Sequence, residues 1–485
     1  MANQRAVSGQ LRQQVYVQLR ESIETGTLPP DSRLPASREH ARVLGVSRNT
    51  VLWAVERLQS EGYLVGRVGD GTYVAQRSAP LRGNTRAPQL AAHQLLSQRG
   101  RLIAEVGARW IPANSNALPF RIGRPALEEF PFALWQRLER QTPIATRTTN
   151  AGYTEAAGHP LLRAAIAQWL LVSRGIRCDP GQVLITAGSQ QALDLVARLL
   201  LDVSDEVLVE DPGYPGIRAN LVAQGALVRP VPVDDQGLCI AQGAAQYPQA
   251  KLAVVTPTHQ FPLGVSMGLA RRAALIAWAQ ANRAWIVEDD YDGEFQYGAQ
   301  RVPALCSMAH DARVLHVGTF SKSLGAGLRQ GFVVLPDALV DAFARARALS
   351  DRQSPGATQD VLARFIGDGH LLRHLRRMRE LYRSRQAALI HELARASSGA
   401  LALAPSLQGM HLAHEVGGRI DDTTLSARAA EAGVQLAPLS RYCIEARRRG
   451  WLFGYAGYDE AALGRAARAG SAALSAAAPA STTGR

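Results

Sequence analysis

Val314-Leu315-His316-Val317-Gly318-Thr319-Phe320-Ser321-Lys322-Ser323-Leu324 joins a short apolar run to a turn of small residues that carries a lysine. The run reads as a buried strand, bounded by its turn. A lysine just past such a strand is desolvated. Its pKa falls, and the neutral amine becomes a nucleophile able to condense with a carbonyl. The 485-residue chain holds 54 Lys plus Arg, yet only Lys251 and Lys322 are lysines. Lys251 precedes an apolar run and reads as a solvated edge residue, so amine chemistry falls to Lys322.

Four more apolar runs end in polar residues. Val183–Thr186 leads through Ala187 and Gly188 to Ser189 and Gln190, where a helix begins. Glu206–Glu210 leads to Asp211-Pro212-Gly213-Tyr214-Pro215-Gly216. Leu252–Pro257 leads to Thr258-His259-Gln260-Phe261-Pro262-Leu263-Gly264. Trp285–Glu288 leads to Asp289-Asp290-Tyr291-Asp292. Strands alternating with amphipathic stretches over 121–475 predict an α/β domain, and ligands of open α/β sheets bind at the carboxyl ends of the strands.

Each feature has a plain reading beside a chemical one. The start of a helix at Ser189–Gln190 offers free N–H groups to a phosphate, or is an ordinary turn. Tyr214, stiffened by Pro and Gly, stacks on a flat ligand or simply packs. The acids after Trp285–Glu288 are costly to bury without a partner. A metal site is one reading of them, but no His/Asp partner motif accompanies it and no metal is expected. Taken together, an anion seat, an aromatic plate, a buried acid, a phenol and an amine match a flat aldehyde with a phosphate arm and a ring nitrogen. Pyridoxal 5'-phosphate fits, with the acid holding the pyridinium proton.

The N-terminal zone is different. Leu11, Val15, Leu19 and Ile23 recur every four residues, giving an amphipathic helix that Gly26 and Pro29–Pro30 stop. Ser37 is expected to cap a short second helix and Ser47 a third, with Gly45 in the turn between them. This is a helix-turn-helix, or else a small helical dimerisation module. The Ser47 cap puts Arg48, Asn49 and Thr50 in the first turn, the end that enters a major groove. Two strand-like runs, Tyr63–Val65 and Thr72–Val74, flank a tip at Gly69-Asp70-Gly71 and read as a wing. Residues 77–120 read as a linker and 476–485 as a disordered tail, so the expected units are 9–76 and 121–475.

Composition sets outer bounds. The net charge of +13 favours a polyanionic partner such as DNA. No run is apolar for long enough to span a membrane, the N-terminus lacks the apolar core of an export signal, and the four cysteines are far apart. A reducing cytoplasm is expected.

Leu34-Pro35-Ala36-Ser37-Arg38, Gly45–Val51, Leu58–Leu64 and the Gly69–Thr72 tip together resemble a GntR-type winged helix. The resemblance implies DNA contacts from Arg38, Arg48, Asn49 and Thr50, with Gly71 and Thr72 at the wing. Phe120–Pro125, Ala187–Leu195, Glu210–Gly216, Val287–Phe295 and Gly318–Leu324 followed by Arg329 resemble a class I aminotransferase domain of fold type I. That resemblance implies a Schiff base on Lys322, Asp289 at the pyridine nitrogen, Tyr291 at the ring hydroxyl and Tyr214 stacked on the ring. It also implies a phosphate seat from Ser189, Gln190, Thr319, Ser321 and Arg329. His259 and Gln260 would lie near the ring, and Tyr153 would reach a partner subunit's site.

The fusion is similar to the MocR-type regulators: a multidomain chain with an α+β winged helix followed by an α/β aminotransferase-like domain. It implies a homodimeric, pyridoxal-phosphate-dependent transcriptional regulator that binds an operator duplex and senses an amine, an amino acid or the cofactor itself. The alternative is an active aminotransferase with an accessory DNA-binding head. Two departures favour the regulator. The loop His259–Gly264 replaces an Asn-Pro-Thr-Gly-like loop. Leu452 stands where many aminotransferases place the arginine that clamps a substrate carboxylate, a charge-assisted contact worth about 1.5–3 kcal/mol. Nearby Arg441 and Arg447–Arg449 read as solvated charge.

Overall fold

The computed structural model describes residues 2–76, 95–110, 118–298, 302–309, 313–417 and 420–475. The expected tail over 476–485 lies outside them. The chain divides into two units, Met1–Leu95 and Leu96–Arg485.

In the first unit, helices α1 (Ala2–Glu24), α2 (Ser37–Leu44) and α3 (Arg48–Ser60) precede the antiparallel pair β1 (Leu64–Arg67) and β2 (Gly71–Val74). Val15, Tyr16 and Leu19 of α1 pack with Ala54 and Leu58 of α3 and with Leu64 and Val74 of the wing. Gly45 takes φ 64° after α2, a left-handed turn that glycine enters without a Cβ clash. Ser47 caps α3 as expected, its side chain accepting from the Thr50 N–H at 3.2 Å. Ser37 does not cap α2. Ala36 holds that position without a side-chain bond, and the Ser37 hydroxyl instead accepts from Arg48 Nε at 3.2 Å.

The second unit begins inside the expected linker. A helix over Gln98–Trp110 packs on the helix Pro215–Gln224, and Arg99 donates to Gln224 Oε1 at 2.6 Å. The linker reading of 77–120 is thus corrected over that helix. Its periodicity is hidden by a surface rich in arginine. Residues 77–94 and 111–117 lie outside the described residues.

The unit's main sheet has eight strands. In chain order they are β3 (Val183–Thr186), β4 (Glu206–Asp211), β5 (Leu227–Asp234), β6 (Gly237–Leu238), β7 (Leu252–Val255), β8 (Trp285–Asp290), β9 (Val314–Thr319) and β10 (Gly331–Val334). The spatial order is β3-β10-β9-β8-β7-β4-β5-β6. Strands β5, β4, β7, β8 and β9 are parallel neighbours, while β10 runs antiparallel to both β9 and β3. Every residue of β3, β7, β9 and β10 is buried, which is why these strands read as continuous apolar runs rather than alternating ones. A smaller antiparallel sheet, β11 (His411–Glu415), β13 (Gly450–Gly454) and β12 (Ala437–Pro438), packs with the helices His370–Ala396 and Glu460–Ser475.

Candidate functional site

The carboxyl ends of β4, β7, β8 and β9 gather the polar residues picked out in the sequence. Lys322 lies in the turn Ser321–Gly325 directly after β9. Its Nζ donates to the Gly123 carbonyl oxygen at 3.2 Å. Burial lowers the lysine pKa, and Arg121 adds to that, while Asp292 and Asp289 oppose it. Gly123 sits at φ 72°, and a Cβ there would come 2.7 Å from Nζ, so only glycine leaves room for the amine.

The acids at the end of β8 and just past it divide by partner. Asp290 binds Arg174 Nε at 2.7 Å, inside the domain. Asp292 lies 2.9 Å from His259 Nδ1. Asp289 is 3% exposed, and its Oδ1 has no partner among the described residues. Burial first, then Asp290 and Glu210, push its carboxyl up to about 7. A buried carboxylate oxygen left unpaired is expensive unless a hydrogen-bond donor or a cation reaches it.

Tyr291 and His259 meet at this edge. The Tyr291 hydroxyl lies 2.8 Å from His259 Nδ1, and burial raises the phenol pKa well above its ordinary value. His411, on β11, completes the group: its ring centroid is 5.0 Å from that of His259, and burial with His259 lowers it to about 4. No local signal marked His411, because only the fold brings β11 to this edge. The ligand atoms of His259, Asp292 and His411 lie within 4.8 Å of one another. His259 Nδ1 is already shared by Asp292 and Tyr291, and His411 Nε2 lies 3.0 Å from the Pro262 carbonyl oxygen, so His259, Asp292 and Tyr291 form a hydrogen-bonded set that His411 meets only through its ring.

Tyr214 precedes the helix Pro215–Gln224, its ring edge-on to Phe261 with centroids 5.5 Å apart. Gln260 ties its loop to the end of β4, its Nε2 donating to Glu210 Oε2 at 3.2 Å and to the Pro212 carbonyl at 2.9 Å. Ser189 and Gln190 open the helix Ser189–Leu200 after Gly188. Arg329 reaches the same turn: a Cβ added at Gly188 would lie 3.7 Å from its Nη1. Thr319 Oγ1 donates to Ser321 Oγ at 3.0 Å and accepts from the Ser321 N–H at 3.2 Å. Ser189, Gln190, Thr319, Ser321 and Arg329, the residues expected to seat a phosphate, thus flank adjacent strand ends, since β10 pairs with both β3 and β9. Tyr153 is exposed, its ring under the Arg352 guanidinium at 4.9 Å.

Leu452 is fully buried on β13, opposite Ala413 and Ala437. Of the neighbouring arginines, Arg448 is half-buried and donates to the Val233 carbonyl at 2.7 Å, while Arg449 is exposed and lies 3.7 Å from Asp422. Arg441 and Arg447 are exposed.

On the winged helix, Arg38, Arg48, Asn49 and Gly71 are exposed and Thr72 is half-buried. Thr50 departs from its expected role. It is 6% exposed and its hydroxyl lies 2.9 Å from Ser47 Oγ, so it belongs to the cap and not to the surface.

Residues 11–74 match the bacterial regulatory proteins of the gntR family, and residues 95–469 match aminotransferase class I and II. The probable rhizopine catabolism regulatory protein MocR of Rhizobium meliloti is 38% identical over 451 residues, 93% of this chain and 90% of the relative. This chain belongs to the MocR-type regulators. Other members are similar over comparable lengths. The HTH-type regulator TauR of Rhodobacter capsulatus is 33% identical across 91% of each chain. The pyridoxine biosynthesis regulator PdxR of Corynebacterium glutamicum is 31% identical across 93% of each. Among solved structures, the α-aminoadipate aminotransferase LysN of Thermus thermophilus, complexed with N-(5'-phosphopyridoxyl)-L-leucine, is 26% identical with a TM-score of 0.71, covering 80% of this chain and 99% of that one. The MocR-type architecture is therefore a GntR winged helix followed by a fold type I aminotransferase-like domain. Among the described residues, no helix is long and apolar enough to cross a membrane.

Proposed function

We propose that this chain is a transcriptional regulator that holds pyridoxal phosphate on Lys322 and senses an amine-bearing effector there, while its winged helix grips an operator duplex. The observation that carries the reading is Asp289, a buried carboxyl whose Oδ1 lacks a partner among the described residues while the Lys322 amine is near enough to shift it. The residues fit the cofactor. Lys322 supplies the amine, Asp289 the acceptor for a pyridinium N–H, Tyr291 a hydroxyl, Tyr214 an aromatic face, and Ser189, Gln190, Thr319, Ser321 and Arg329 the donors for a phosphate. When bound, the cofactor supplies an electrophilic carbon that exchanges one amine for another. The protein's part is to keep Lys322 neutral by burial, to orient the ring, and to turn exchange at Lys322 into a population shift of the DNA-binding units. Arg38 and Arg48 provide exposed guanidinium groups for phosphates or guanine edges. A homodimer places two such heads on paired half-sites.

Leu452 weighs against the alternative of a working aminotransferase, because β13 presents no cation at that position. One preparation tests both readings. Purified protein supplied with pyridoxal phosphate is expected to develop a visible band that Lys322→Ala lacks, and to give a DNA footprint that changes with one amine of a panel. A colourless protein, or rapid multiple turnover of amino acids with 2-oxo acids, refutes the proposal.

A further inference from the structure

Two arginines border the Gly123 carbonyl, and among the described residues neither forms an ion pair with an acid. Arg121 and Arg124 lie on the segment whose Gly123 carbonyl holds the Lys322 amine. The Arg124 guanidinium lies 5.2 Å from the Tyr458 ring centroid. Arg121 is half-buried, and among the described residues its side chain has no hydrogen-bond or ion-pair partner. Its backbone is fixed against β13. Gly454 N–H donates to the Phe120 carbonyl at 2.8 Å, and a Cβ at Gly454 would overlap the Arg121 carbonyl oxygen. Alternation along β13 puts Gly454 and Leu452 on one face, so Arg121 borders the strand that lacks a cation at Leu452. A half-buried guanidinium without a counter-ion is poised to receive an anion, since it has already given up part of its hydration.

We propose that Arg121 is the anion-binding residue of the effector site, so that the effector is an amine carrying a carboxylate or similar acidic group, held from the Arg121 segment instead of from β13. This rests on the amine-sensor reading above and narrows it. The amine end exchanges at Lys322, and the acidic end meets Arg121. The electrostatics agree: the Arg121 charge is felt at the Lys322 amine and helps depress it.

The test is a titration of the cofactor-loaded protein with amino acids of graded length and with unbranched alkylamines of the same lengths. It is read by the visible band, by calorimetry and by DNA footprint. The native protein is expected to bind the best carboxylated amine at least about tenfold more tightly than its uncharged counterpart. Arg121→Gln should abolish that preference while the protein still takes up the cofactor and still responds to alkylamines, and Arg121→Lys should retain part of it. No preference in the native protein overturns the inference. So does a preference that survives Arg121→Gln, or an equal loss for both ligand classes in that variant. If no amine of either class alters band or footprint, the sensor reading itself falls, whereas a response to alkylamines alone sinks only the role of Arg121.

Discussion

Asp289 is the second-last residue of β8 and Lys322 follows β9, and these parallel neighbours hold the carboxyl and the amine on one edge of the sheet, each shifting the other's titration. Burial drives both toward neutrality. It raises Asp289 and lowers Lys322, and their mutual attraction opposes both shifts without reversing them. The cofactor-free site is thus a strained arrangement of two groups that a cationic ring and an aldehyde would relieve.

That strain has a pH signature. Asp289 sits at about 7 in the folded chain against 3.8 as a free side chain. Between those values the folded state binds the extra proton, so stability falls as pH rises through the window, by up to about 4 kcal/mol for the cofactor-free protein. Glu210, pushed to about 7 by burial, and Glu294, pushed to about 8, add the same sign. Asp289→Asn should flatten the profile and make the cofactor-free chain more stable than the native one at pH 8, while loosening the cofactor. Denaturant melts at pH 5 and pH 8, with cofactor retention after dialysis, check both halves. A variant that loses stability at pH 8 contradicts the assignment.

Gly123→Ala should disturb the lysine without touching the chemistry directly. The added Cβ would stand 2.7 Å from Lys322 Nζ, in a left-handed backbone position. The amine must move off the Gly123 carbonyl. Cofactor capture by the cofactor-free protein is expected to slow by at least about tenfold, with strain of order 1–3 kcal/mol in the fold. Stopped-flow absorbance on mixing with pyridoxal phosphate measures the first and a denaturant melt the second.

In the winged helix, cap and surface separate. Arg48→Ala removes an exposed guanidinium and should weaken operator binding, reduce its salt dependence and leave the melt unchanged. Ser47→Ala removes the cap of α3 and should cost about 1 kcal/mol of stability. Thr50→Val, at a buried position bonded to Ser47, should behave like Ser47→Ala and not like Arg48→Ala. A salt series by fluorescence anisotropy beside thermal melts distinguishes these patterns.

Much of this was legible because buried parallel strands leave an uninterrupted apolar run and deliver polar residues at one end. Lys322, Asp289, Tyr291 and His259 were all found that way. β5 was not, because Pro230 and Pro232 argue against a strand. They are two residues apart, so both missing N–H groups fall on one side of β5, and β6 pairs there only with Val233 and Asp234. Thr50 was misread because spacing gives the turn of a helix and not the side that packs. His411 could not be found at all, since its nearness to His259 comes from β11 folding back on the sheet edge.

The last expectation concerns the proton on His259. Nδ1 lies 2.9 Å from Asp292 Oδ2 and 2.8 Å from the Tyr291 hydroxyl, and a neutral imidazole has one hydrogen to place. A carboxylate facing a bare lone pair would repel it, so the hydrogen sits on Nδ1 and is donated to Asp292. Tyr291 oxygen then accepts a share, and its own O–H is free to point at a ring hydroxyl. Asp292→Ala releases this constraint. The ring nitrogen becomes an acceptor, Tyr291 donates inward, and its contact with the cofactor is lost. Asp292→Ala and Tyr291→Phe should therefore each weaken pyridoxal phosphate binding by about tenfold, and the double variant little further, because both remove one hydrogen bond. Fluorescence titration of the four proteins gives the coupling directly. Additive losses would mean that Asp292 acts on the cofactor by its charge and not through the orientation of Tyr291.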